Sequence, residues 1–468
     1  MNEPRNNSIN LTLVALIVGV ATIGGFMFGY DSGVINGTQE GLRVTFKLTD
    51  AWLGITVSAL LPGCALGAFC AGRLADLWGR RRVMVAAAAL FILSALAAGA
   101  AGTALMMIAA RFAAGVGVGA ASVLSPAYIS EVTPANMRGR LSSMQQVMII
   151  AGLTGAFLCN YLLADLAGNS TRVLWLGFAA WRWMFWMQII PAGIFFITLL
   201  FIPESPRFLV AKRRDEEAVS VLSRLFGSAT AGSLVLEIRR SLAGDHLPRF
   251  SDLIERSTGR LRRIVWVGIG LATFQQLVGI NVVFYYGAEL WQAVGFTEAD
   301  SLKINVLSGT LSIVACVVAI ALIDRIGRRP LLLIGSIAMT VALIILTLAF
   351  ASADIAHGRL SLTPSIGRLA LISANLYVIF FNLSWGPVMW VMLGEMFPNR
   401  IRGSGLAVSG AAQWMTNFLI SFSFPVLAKS IGLALTYGIY AACAFSSIVF
   451  VLKMVHETRG IELEDMTG

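Results

Sequence analysis

Twelve apolar runs constrain this chain more than any other feature. They lie near residues 11–35, 51–72, 83–102, 104–127, 141–164, 183–202, 264–294, 304–323, 331–353, 369–393, 404–427 and 432–452. A hydrocarbon layer about 30 Å thick is crossed by roughly 20 helical residues, so each run reads as a membrane span. Composition agrees: 57% of the 468 residues are hydrophobic and 13% charged, against about 25% charged in soluble domains. The first run follows a polar leader, MNEPRNNSIN, and no small-residue cleavage site follows a short apolar core. It therefore reads as a retained span, with no targeting peptide.

The net charge of +10 raises the option of a nucleic-acid partner, but the placement of the basic residues argues against it. With the N-terminus inside, most Lys and Arg fall in cytoplasmic segments and only Arg111 lies deep in a span. That asymmetry is the positive-inside rule, so the charge reports topology: a multi-pass protein of the cell membrane, both termini cytoplasmic, with the lipid bilayer as its surroundings. Cys64, Cys70, Cys159, Cys316 and Cys443 all lie in apolar runs without metal-ligand spacing or a disulfide framework. They read as small hydrophobes, and no metal or cofactor is implied.

One long polar segment, 203–263, separates six runs from six. Within it RDEEAVSVLSRL (214–225) and SLVLEIRRSL (233–242) show helical apolar spacing between charges, so short amphipathic helices are expected on the cytoplasmic side. Three motifs recur across this linker in one order: GRLADLWGRR (72–81) with IDRIGRR (323–329), EVTPANMRG (131–139) with EMFPNRIRG (395–403), and PESPR (203–207) with HETRG (456–460). Near-constant spacing over three motifs implies duplicated halves, giving an N-terminal half 1–202, a linker 203–263, a C-terminal half 264–455 and a tail 456–468. Facing halves around a central site are a transporter plan. The motifs place carboxylates beside guanidiniums, which pair bidentately. An ion-pair cluster that ties the cytoplasmic ends together in one state and breaks in the other is expected from Asp76, Arg80, Glu131, Arg138, Glu204, Arg207, Asp324, Arg328, Glu395, Arg402 and Glu457.

Polar residues inside the runs carry the rest. Asp31, in GGFMFGYDSGVI (24–35), is the one acid well inside a span, since Glu289 falls toward the outer end of the seventh, and Arg111 is the one deep base. An isolated charge in a span costs about 2.5–3.5 kcal/mol on insertion scales, so the two are expected to face each other. Burial favours the neutral acid and a facing guanidinium the carboxylate, so such an acid can change protonation as a cavity opens to either side. Amides interrupt other spans: Gln145, Gln146, Gln275, Gln276, Asn281, Asn382, Gln413 and Asn417, with Trp390 and Trp414 among them. Amides and flat aromatics suit a neutral polyol. On an ideal helix Gln276 and Asn281 lie about 140° apart, and Gly279 between them permits a local break. Trp175, Trp181, Trp183 and Trp186 cluster near a span end and read as belt residues.

From GYDSGVI through RFAAGVGVG, PESPR, QQLVGINVVFYY and DRIGRRP to GPVMWVMLGEMFP and HETRG, the chain resembles the sugar porter family of the major facilitator superfamily. The resemblance implies an all-α membrane protein of twelve transmembrane helices in two six-helix halves with short cytoplasmic helices between them. It also implies alternating access to a central monosaccharide site. Gln146, Gln275, Gln276, Asn281, Trp390 and Gln413 match sugar-contacting positions, with Trp414 beside them and Gly386 in the flexible stretch of the tenth span. Tyr285 and Tyr286 match outer-gate aromatics. Ser312 stands where relatives place an Asn ligand, and Leu153 where the family's xylose symporters carry a Gln. Proton-coupled members carry an Asp at the position of Asp31, whereas animal facilitators carry Asn. Gln188 replaces a further acid found in the xylose symporters.

The reading is a proton-coupled hexose or pentose symporter, functional as a monomer, with Asp31 as proton carrier and Arg111 as its partner. Facilitated diffusion by the same fold and a non-transporting sugar sensor are the alternatives. The amide and Trp set suits a neutral sugar better than a cationic or lipophilic export substrate. No nucleophile–base pair, metal-ligand cluster or phosphate loop points to an enzyme; GVGVG (115–119) reads as a glycine-rich helix for close packing.

Overall fold

A backbone in hydrocarbon must close its hydrogen bonds within its own segment, which a helix does, and the computed structural model is helical almost throughout. It describes residues 10–134, 138–244, 250–255, 259–356, 359–398 and 401–459. The first six rods are α1 (Leu11–Phe46), α2 (Asp50–Ser58) continued by α3 (Leu60–Trp78), α4 (Arg80–Gly99), α5 (Ala104–Val132), α6 (Arg138–Ala167), and α7 (Ala180–Met187) continued by α8 (Ile189–Leu199). The linker holds α9 (Pro206–Ala211), α10 (Asp215–Phe226) and α11 (Ser228–Gly244). The second six are α12 (Arg263–Leu277) continued by α13 (Ile280–Ala293), α14 (Glu298–Ile326), α15 (Arg328–Ala351), α16 (Pro364–Leu383) continued by α17 (Trp385–Met396), α18 (Arg402–Ser430) and α19 (Gly432–Met454). Two short antiparallel pairs, β1 (Val173–Trp175) with β2 (Phe178–Ala179) and β3 (Asp354–Ala356) with β4 (Arg359–Ser361), lie before α7 and α16.

Local sequence explains where rods start and break. Thr49, Thr103, Thr297 and Thr363 accept the N–H three residues on and so cap α2, α5, α14 and α16. Proline clashes with the carbonyl four residues back. Accordingly α2 ends at Ser58 before Pro62, α7 at Met187 before Pro191, and α16 at Leu383 before Pro387. The α12–α13 break has the other cause: Gly279 takes φ +83°, a conformation open to glycine.

Among the described residues, eleven rods are long and apolar enough to cross a membrane. The twelfth, α18, is diluted by Ser404, Ser409, Gln413, Asn417 and Ser421, all of them buried. Its polarity is spent inside the bundle, which is why hydropathy alone undervalues it. Trp181 departs from its expected place in an interfacial belt. It is buried, with Phe46 and Phe185 on its ring and the Arg182 guanidinium 4.4 Å above it.

Small residues let backbones touch. A Cβ at Gly29 of α1 would strike the Ile149 carbonyl, and one at Gly152 of α6 the Phe26 carbonyl. The glycine-rich run of α5 packs as its composition suggests: Gly115 and Gly119 lie on the Leu60 and Cys64 carbonyls of α3, while Gly63 and Gly67 lie on those of Phe112 and Val116. The two sets of six meet along α1 with α13, α2 and α3 with α18, and α6 with α14. The linker helices enclose a small apolar cluster of their own around Phe208, Leu222 and Val235 and mark one end of the bundle, here the linker face; the opposite end is the far face.

Gly119→Leu forces α3 and α5 apart. It is expected to cost about 1–3 kcal/mol or more, as overpacking does, read as a lower thermal midpoint in detergent. Gly72→Ala on the facing helix α3, where nothing lies within 4 Å, should leave the midpoint no lower.

Candidate functional site

The two lone charges meet. Asp31 of α1 and Arg111 of α5 are each 2% exposed, and Arg111 Nη1 donates to Asp31 Oδ1 at 2.9 Å and to the Asp31 carbonyl at 3.1 Å. The pairing is one-sided. Asp31 Oδ2 and Arg111 Nε have no hydrogen-bond partner, and neither has Nε2 of Gln188, which sits buried at the α7–α8 join beside the same carboxyl but outside bonding geometry. A bidentate pair would occupy both oxygens; this one leaves an oxygen able to take a proton.

The amides form a chain in the second half. Asn281 Nδ2 donates to Gln276 Oε1 at 2.5 Å, Gln276 Nε2 to Gln275 Oε1 at 3.0 Å, and Gln413 Nε2 to the same Oε1 at 3.3 Å. Gln275 Nε2 in turn donates to the carbonyls of Trp385 at 3.0 Å and Gly386 at 3.4 Å, in the first turn of α17 just past the α16–α17 break. The α12–α13 break brings Gln276 and Asn281 together across the turn, as an unbroken helix could not. Gln413 Oε1 is buried without a partner, an acceptor suited to a hydroxyl. Trp414 packs against Phe28 of the other half, ring centroids 5.8 Å apart.

Other predicted ligands stand apart. Ser312 is fully buried, donating to the Ser308 carbonyl at 2.7 Å and accepting from Asn382 at 3.2 Å, so its hydroxyl is already used within the protein. Gln146 is half-buried on α6 and Trp390 is 40% exposed on α17; none of the described hydrogen bonds reaches either. Leu153 packs its backbone and side chain on Gly29 and Gly33 of α1. Tyr286 donates to the Ser421 carbonyl at 2.7 Å, and the Tyr285 carbonyl accepts from Gln39 Nε2.

At the linker face the duplicated motifs build one arrangement twice. Arg80 bonds Asp76 at 2.9 Å and Glu131 at 3.2 Å. Arg328 bonds Asp324 at 3.0 Å and Glu395 through two hydrogen bonds, at 3.0 and 2.7 Å. Gly79 and Gly327 before them have φ +102° and +103°, and a Cβ at either would strike the carboxylate of Glu204 or Glu457. Those two acids cap the next helix: Glu204 accepts from Arg81 N at 3.1 Å, Glu457 from Arg328 N and Arg329 N at 2.9 Å each. Ser205 donates to Glu131, and Thr458 to Glu395 at 2.6 Å. Every ion pair described for Arg80 and Arg328 closes within its own half. Arg207 lies near Glu131, Arg402 Nε donates to the Phe397 carbonyl at 3.2 Å, and the Arg138 side chain lies outside the described residues. Burial alone would raise the Glu457 carboxyl, but the backbone N–H groups of Arg328, Arg459, Arg329 and Thr458 hold it below its ordinary value.

The far face is built differently, by residues the sequence reading gave no role. Asn36 Nδ2 donates to the Phe284 carbonyl at 2.8 Å and Asn36 Oδ1 accepts from Ala288 N at 3.2 Å and Asn305 Nδ2 at 2.8 Å. With Gln39 and Arg43, Asn36 forms a stripe at i, i+3 and i+7 along one face of α1, a signal legible at the end of the first run. These bonds cross between the halves, so the far face is closed here, whereas the ion pairs described for Arg80 and Arg328 stay within their own halves.

Comparison with known proteins agrees. Residues 17–468 match the family of sugar (and other) transporters. A glucose transport protein of Synechocystis sp. is 48% identical over 466 residues, covering 99% of each chain. The xylose transporter of E. coli in a partially occluded inward-open conformation superposes with a TM-score of 0.83 at 33% identity, covering 96% of this chain and 100% of that one. The proton:xylose symporter bound to 6-bromo-6-deoxy-D-glucose gives 0.77 at 34% identity, covering 98% and 99%. The closer match to the inward-open form fits the closed far face.

Because Glu457 is held below its ordinary value near 4.3, its capping of α15 is full above about pH 4.3 and lost as pH falls through the lower folded value. Glu457→Gln should lower the thermal midpoint at pH 7, and the gap from the parent should narrow progressively as pH falls below about 4.3. A gap of constant size across pH 3–7 would contradict this role.

Proposed function

The chain belongs to the sugar transporter family of the major facilitator superfamily, and from that premise we propose that it is a proton-coupled monosaccharide symporter. It works by alternating access as a monomer in the cell membrane, with both termini and the linker face cytoplasmic. The observation that carries this reading is the Asp31–Arg111 pair, buried on both sides and bonded through one carboxylate oxygen only. A static ion pair buried for stability gains little over apolar packing; one with an oxygen to spare can load a proton. Protonation removes the charge that holds Arg111, so the loaded first half can reorient against the second. The sugar enters through the amide chain of Gln275, Gln276, Asn281 and Gln413, exchanging amide–amide bonds for amide–hydroxyl bonds of similar strength. Hexoses are the first class to test, since the 48% identical relative is named for glucose, and pentoses the second.

A second reading, facilitated diffusion, is favoured by one feature: Gln188 is neutral where the family's xylose symporters carry another acid, so a single titrating group remains in the span interiors. The two readings differ in accumulation. One charge crossing about 100 mV gains about 2.3 kcal/mol, roughly 50-fold accumulation at one sugar per proton; a facilitator only equilibrates.

Uptake of a labelled monosaccharide panel into proteoliposomes, with and without an imposed pH gradient, should show gradient-driven accumulation of one class. Asp31→Asn should keep sugar exchange and lose accumulation; uphill uptake unchanged in that variant would overturn the assignment. Gln276→Leu leaves Asn281 and Gln275 without their partner and should weaken sugar binding by about tenfold, read as a raised KM for exchange.

A further inference from the structure

α1 carries the proton site at Asp31 and, beyond it, the stripe that closes the far face. At the end of that stripe Arg43 joins two carboxylates. Its Nη1 donates to Asp50 Oδ1 of α2, in its own half, at 2.7 Å, and its Nη2 to Glu289 of α13, in the other half. The second oxygen of Asp50 takes Lys429 Nζ at the end of α18, again in the other half, at 2.7 Å. A chain of charge thus runs Glu289–Arg43–Asp50–Lys429 and crosses between the halves twice. It borders a cavity of about 600 Å³ whose lining includes Glu40, Arg43, Glu289, Gln292 and Lys429.

The geometry points to a latch: this chain of four charges holds the outer face shut, and its strength sets how often the carrier turns outward. The inference rests on the alternating-access reading above. Opening the outer face breaks both crossing pairs together, whereas Arg43–Asp50 stays within the first half. That surviving pair keeps the guanidinium aimed and the face ready to close again. Side chains exposed by 19% for Asp50, 30% for Arg43, 34% for Glu289 and 78% for Lys429 place the chain within reach of solvent ions. The Asp50–Lys429 link, exposed at its lysine, is weak as such pairs are, and the part-buried Arg43 links are still open to screening by salt, which suits a gate that must open in every cycle. The pairs described for Arg80 and Arg328 at the linker face stay within their own halves, whereas these two described pairs on the outer side cross.

Ala288, 4% exposed, sits under the latch with its N–H on Asn36, and a cysteine there reports outward opening. The test follows external labelling of Ala288→Cys by a membrane-impermeant maleimide on the full-length carrier in oriented vesicles. Modification is read at that site by mass spectrometry, because five native cysteines are present. Glu289→Gln and Lys429→Met should each raise the labelling rate about threefold, Lys429→Arg should stay near the parent, and 1 M inert salt, with a Debye length of about 3 Å, should speed labelling of the parent over 0.05 M. Rates unmoved by both neutral substitutions would overturn the latch. Should those variants be recovered misfolded, the parent decides: labelling insensitive to salt would overturn it equally. External transported sugar must change the parent's labelling rate. If it does not, the alternating-access premise fails; if it does and neither charge nor salt matters, the latch alone fails.

Discussion

A polar group left alone in hydrocarbon costs more than almost any pair of such groups returns, and the architecture of this bundle follows from where each one finds its partner. Asp31 needs Arg111 from another helix. The buried amide of Gln275 needs the carbonyls of Trp385 and Gly386 in the first turn of α17. The Val278 carbonyl, freed at the α12–α13 break, takes Tyr377 Oη at 2.8 Å. A helix break thus opens a backbone carbonyl to a tyrosine hydroxyl, and buried amides find their partners close by. The same amides then lie beside flexible backbone in the middle of the bundle, where a polyol can compete for their bonds.

Duplication gives the two halves equal linker-face devices. Arg80 with Asp76 and Glu131, and Arg328 with Asp324 and Glu395, fasten three helix ends within each half, while Glu204 and Glu457 cap the helix that each arginine begins. Such fastening makes each half a unit that moves as one body, so change is confined to the surfaces between halves. Those surfaces are asymmetric in this state. Asn36, Gln39 and Arg43 bond across the far face, and the ion pairs described for Arg80 and Arg328 stay within their own halves.

Much of the fold was legible in the chain. Apolar runs located the spans, motif spacing exposed the duplication, and three of the four helix breaks lie four residues before a proline. The site was legible as a list of types: one acid, one base and a set of amides too costly to be idle. What the list lacked was partnership. Ser312 read as a ligand, yet its hydroxyl is spent on Ser308 and Asn382. Trp181 read as a belt residue, yet it lies in the core. Arg43, Asp50 and Lys429 have no role legible in the sequence, and Glu289 only a place toward a span end, because nothing in their local sequence says that they meet.

The sequence by itself determined that this is a twelve-span bundle of two matched halves, since span length and helical hydrogen bonding follow from local chemistry and the thickness of the bilayer. It also determined that Asp31 and Arg111 had to be near each other, because neither can be buried alone. Only the tertiary structure decided that their bond leaves one oxygen free, that the amides join through broken helices, and that charge crosses between halves on the far face. Those outcomes depend on which side chains come within about 3 Å of residues many turns away in sequence, a distance set by how the rods pack and tilt.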